Sequence, residues 1–81
     1  MPKPRVLSGQ DIVRIFESFG FSIADQRGSH IKLRRTTEDG ARETLTVPDH
    51  KELDRGTVVG IFRQAIRYIS ETELRSHFYS D

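Results

Sequence analysis

Glu38-Asp39-Gly40 lies between two alternating apolar pairs, Ile31/Leu33 before it and Leu45/Val47 after it. A three-residue hairpin loop demands a left-handed conformation at its third position, which glycine adopts without steric penalty. With that loop the strands can pair in one register: Thr37 faces Ala41, Leu33 faces Leu45 and Ile31 faces Val47. Opposed residues share a face, so the four apolar side chains land together. By the same count Arg34 faces Thr44, Lys32 faces Thr46 and His30 faces Pro48, all on the other face. His50 then falls within a couple of residues of His30.

The flanking segments supply cover for the apolar face. Ser8 reads as a helix N-cap with Asp11 in the first turn. Ile12, Ile15, Phe16 and Phe19 recur at helical spacing, and Gly20 stands where such a helix would end. Phe21 to Asp25 alternates and predicts a first strand of about five residues. Gly28-Ser29 is a turn into the second strand, and Pro48 ends the third, having no N–H for the ladder. A polar connection, 49–53, leads to a second helix from near Asp54, with Val58, Phe62, Ala65, Ile66 and Ile69 as its stripe. Ser70-Glu71-Thr72-Glu73 reads as a capping box for a short last helix, Glu71 to about Phe78. Residues 1–7 read as a short N-terminal lead to a single domain spanning 1–81. The expectation is an α+β two-layer sandwich: a three-stranded antiparallel sheet with the helices on one face, in the order α-β-β-β-α plus a short C-terminal helix.

A chain of 81 residues buries one modest core. It has no cysteine, which excludes a disulfide framework and thiolate metal sites. No apolar run approaches the roughly 20 residues of a membrane span, and Met1-Pro2-Lys3-Pro4-Arg5 lacks a signal peptide's apolar stretch. A cytoplasmic protein is expected. The net charge of +1 does not argue for nucleic acid, but its distribution does. Lys32, Arg34 and Arg35 cluster on one strand, whereas Glu71, Glu73 and Asp81 gather near the C-terminus.

The uncovered sheet face would carry His30, Lys32, Arg34, Thr44 and Thr46 on rigid strands. As a plain solvated surface it needs no ligand, and charges there also protect a sheet from edge pairing. As an RNA platform it offers cations and hydroxyls, although it lacks the aromatics on which single-stranded bases stack. His30 adds a proton carrier that works at neutral pH. RNA brings its own nucleophile, the 2′-OH, so a base beside phosphate-binding cations suffices for scission. His30 is therefore the candidate catalytic residue, as base at the 2′-OH or acid at the leaving oxygen. Lys32 and Arg34 are the candidate phosphate ligands, with Lys51 as a helper and His50 as a candidate second proton carrier. A non-catalytic RNA-binding module and a protein-interaction domain remain as rivals.

Other chemistries fit less well. The histidines at 30, 50 and 77 have no metal-ligand spacing, and neither metal nor cofactor is expected. Ser29 and His30, adjacent on a strand, would point to opposite faces and cannot act as nucleophile and base. Gly56-Thr57 reads as a helix start rather than a phosphate loop.

The helix ending at Gly20-Phe21, Gly28-Ser29-His30, Val47-Pro48-Asp49-His50, Gly56-Thr57 and Ile61-Phe62-Arg63-Gln64-Ala65 together resemble the HicA (YcfA-like) toxin family, from about Ser8 to Phe78. The resemblance implies a double-stranded-RNA-binding-domain-like fold and an mRNA interferase of the bacterial cytoplasm. It implies His30 as the catalytic residue, with Gly28 and Ser29 joining Lys32, Arg34 and Lys51 among the candidate RNA contacts. It also implies a HicB-type antitoxin as partner. One departure stands out: Ile66-Arg67-Tyr68 occupies the place where the family commonly has a helix-stopping glycine. The long helix is expected to run a turn further.

Overall fold

A computed structural model describes residues 2–81. The chain runs β1 (Lys3–Pro4), α1 (Gly9–Ser18), β2 (Ser22–Arg27), β3 (His30–Thr36), β4 (Arg42–Pro48), α2 (Arg55–Ala65), α3 (Glu71–Phe78) and β5 (Tyr79–Ser80). Strands β2-β3-β4 form an antiparallel sheet, and β1 pairs with β5 in a two-stranded ribbon. The thinnest dimension is 17 Å, which fits one sheet and one layer of helices.

The central hairpin adopts the register that its loop dictates. Leu33 pairs with Leu45, Ile31 with Val47 and His30 with Pro48. Gly40 has φ +87°, and the Thr37 N–H donates to the Ala41 carbonyl at 2.8 Å. The four apolar residues are fully buried beneath Ile12 and Phe16 of α1, Val58 and Ala65 of α2, and Leu74 and Phe78 of α3.

α1 starts and stops by local rules. The Ser8 hydroxyl accepts from the Asp11 N–H, and the Asp11 carboxylate accepts from the Ser8 N–H, both at 2.9 Å. At the far end Gly20 N–H bonds the Glu17 carbonyl and Phe21 N–H the Phe16 carbonyl, the double bond of a Schellman motif. The Phe16 and Phe21 rings, 6.0 Å apart, supply its apolar contact.

Three local expectations are corrected. α2 does not gain an α-helical turn: it ends at Ala65, and the chain tightens through Arg67 N–H to Gln64 O and Tyr68 N–H to Ala65 O. The tightening carries Ile69 into the core, while Arg35 captures the Tyr68 carbonyl at 2.8 Å. The capping box at Ser70 does not form, since its side chain makes no cap bond. Burial of Leu74 and Phe78 anchors α3 instead. Arg35 leaves the basic cluster: it lies half-buried on the helix side, bonded to Glu43 and the Phe19 and Tyr68 carbonyls, 4.7 Å above the Phe21 ring. The lead is tied into the fold by the β1-β5 pairing and by Arg5 N–H to Phe78 O at 2.8 Å.

Candidate nucleic-acid interface

His30 opens β3 directly after a two-residue turn. Gly28 takes φ +58° and Ser29 does not take a positive φ, the pattern of a type II′ hairpin turn. Arg27 therefore pairs with His30 across the hairpin. Asp49 braces the turn from below. Its N–H donates to the Ser29 carbonyl at 2.6 Å, and its carboxylate accepts from Gln10 at 3.0 Å and Gln26 at 3.3 Å. Asp49 thus joins α1, β2 and the turn that delivers His30.

The pairing maps the open face in three rows. Arg27, His30 and Pro48 form the first, Asp25, Lys32 and Thr46 the second, and Ser22, Arg34 and Thr44 the third. Direct neighbours in a row lie about 5 Å apart at Cβ. A depression of about 290 Å³ on this face is lined by Asp25, Arg27, His30, Lys32 and Thr46. His30 and Lys32 are both exposed there, on adjacent rows of one strand.

The other expected site residues lie around this depression or away from it. Gly28 and Ser29 shape the turn. Arg34 is half-buried in the third row, its Nε enclosed without an acceptor. Lys51 and His50 are exposed in the connection after β4 and do not line the depression. The His50 carbonyl accepts from Gly9 N–H at 2.9 Å, so this residue's backbone serves the docking of α1. Thr57 donates its hydroxyl to the Asp54 carboxylate at the start of α2. That bond, foremost among several, holds the Asp54 carboxyl below its ordinary pKa, and the anionic cap opposes a phosphate there.

Asp25 and Arg27 were not expected at the site. Between Ile23 and Asp25 the β2-β3 register shifts, leaving Ala24 as the extra residue of a bulge. Uninterrupted pairing from Ile23 opposite Leu33 would set Gln26 opposite His30, and Asp25 and Arg27 would face the helices. The bulge reverses this and brings both to the open face. Period-two alternation carries no mark of a bulge; the only sequence hint is that Ile23 is followed by no second apolar residue two positions on.

A small α+β domain with a strand-borne histidine on an open, cation-bearing sheet face is the class that fold and site define. Residues 9–66 match the family described as HicA toxin of bacterial toxin-antitoxin. The chain belongs to this toxin family, whose members work with an antitoxin partner. No curated protein and no solved structure gives a significant match. Among the described residues no helix is long and apolar enough to cross a membrane, and no three His, Asp or Glu side chains gather as metal ligands.

Proposed function

We propose that this chain is an RNA endonuclease toxin and that His30 is its proton-moving group. The observation that carries the reading is an exposed imidazole in a depression shared with Lys32 and Thr46, on strands held by a buried core. His30 takes the proton of the 2′-OH, the 2′-oxygen bonds to phosphorus, and the phosphorus–O5′ bond breaks. Water protonates the departing O5′, leaving a 2′,3′-cyclic phosphate and a 5′-hydroxyl. Lys32 holds the phosphate, and Arg34 the neighbouring one along the strand. A HicB-type antitoxin silences the toxin by covering this face, where an RNA and an acidic protein surface would compete for the same cations.

The test is cleavage of a defined RNA in excess EDTA by wild type and His30→Ala, with circular dichroism to verify the fold. Wild type should cut, and the variant should lose about 10²–10⁴-fold in rate. Equal cleavage by the two proteins overturns the assignment of His30. Binding of RNA by wild type without scission makes the chain a binding module instead.

A further inference from the structure

Strand β2 was absent from the expected site, yet the bulge at Ala24 turns Asp25 and Arg27 toward His30. We propose that Arg27 is a further catalytic residue, contacting the phosphate under attack, and that Asp25 is its positioning residue. The inference rests on the ribonuclease reading above.

Three observations carry it. Arg27 is the cross-strand partner of His30, so its Cβ lies about 5 Å from that of the histidine. Lys32 is about 7 Å further along the same strand as His30. Of the cations on this face, Arg27 is the one whose backbone is set directly beside the imidazole. Second, its side chain is 90% exposed, with nothing between the guanidinium and an arriving phosphate. Third, the only side-chain hydrogen bond of Arg27 among the described residues is from Nε to Asp25 Oδ2, at 3.4 Å. That contact ties the inner nitrogen and leaves the two outer nitrogens as a fork. A planar fork matches two phosphate oxygens at once, which a lysine cannot do.

The chemistry fits this placement. As the 2′-oxygen bonds to phosphorus and O5′ departs, negative charge grows on the two non-bridging oxygens. A guanidinium held beside the base meets that charge where it develops, so its contribution is larger in the transition state than in the bound substrate. Asp25 is itself fixed, its Oδ1 accepting from the Gln26 N–H at 2.9 Å. It draws no proton from substrate in this scheme; it aims Arg27.

The experiment compares wild type, Arg27→Ala, Arg27→Lys, Asp25→Asn and the Arg27→Ala/Asp25→Asn double variant. Each is assayed on one RNA oligonucleotide, and each is titrated with the same oligonucleotide carrying a 2′-deoxy group at the cut site. Arg27→Ala should lower kcat about 10²-fold, while affinity for the uncleavable strand changes by only about threefold. Arg27→Lys should recover only part of the loss. Asp25→Asn should lower kcat with KM unchanged, and the double variant should be no slower than Arg27→Ala. If Arg27→Ala cuts like wild type, or loses affinity with kcat intact, Arg27 is no catalytic residue while the ribonuclease reading stands. A wild type that cuts no RNA removes the reading and this inference together.

Discussion

At the scale of single residues, Gly9 and Gly60 show how one amino acid serves opposite ends. Gly9 is buried where α1 meets the end of β4, and a Cβ built there would sit 2.0 Å from the Pro48 carbonyl oxygen. The absence of a side chain permits the bond from Gly9 N–H to His50 O, and hence the docking that Asp49 and Gln10 complete. Gly60 is exposed in the middle of α2, with open space around its Cβ position. Gly9→Ala should therefore destabilise by about 1–3 kcal/mol through forced backbone movement. Gly60→Ala should stabilise by about 0.5–1 kcal/mol by restricting the unfolded chain. Urea midpoints of the two variants read both signs; a Gly9→Ala midpoint equal to wild type would refute the close approach of α1 to β4.

At the scale of elements, the start of α1 depends on pH. Hydrogen bonds from Ser8, backbone first and hydroxyl second, hold the Asp11 carboxyl below its ordinary pKa. Its folded value is lowered, so its contribution is complete above the unfolded value and is lost as pH falls through the folded one. Asp39, bonded chiefly to the Thr37 hydroxyl, and Asp54 shift in the same direction. The urea midpoint should fall as pH drops below about 5, and fall less in Asp11→Asn; parallel profiles for the two proteins would rule out a role for Asp11. Ser8→Ala removes the reciprocal half of this cap and should cost about 1 kcal/mol. The bulge in β2 acts at the same scale. It changes which side chains reach the open face without altering the sheet's order, and all six residues of β2 stay exposed.

At the scale of the molecule, the proposed function rests on where the cations sit rather than on the net charge. The net charge is +1, yet Arg27, Lys32 and Arg34 share one face with His30. Arg35, from the same basic run, instead clamps the ends of α1 and the turn after α2 to the sheet. Single-stranded RNA held by Arg27, Lys32 and Arg34 should show a log–log salt slope of about −2. A binding titration with the 2′-deoxy strand from low to high salt measures it, and a salt-independent affinity would show that this face does not hold the phosphates.

The α+β architecture was written in local patterns. The loop at Gly40 set the β3-β4 register, Ser8 and Gly20 bounded α1, and His30 could be placed on the open face because side chains alternate along a strand. These rules involve residues near one another in the chain, so the sequence alone could carry them. What the chain's order did not show depends on segments meeting in space. Just past the end of α2, Arg35 reaches the Tyr68 carbonyl from another layer. Ser70 forms no cap bond and α3 is held by its core residues. His50 stays out of the depression, and Arg27 enters it through a bulge defined only against the partner strand. A bulge, a clamp and a shared depression are relations between strands and helices already packed, so their physical cause first exists in the folded molecule.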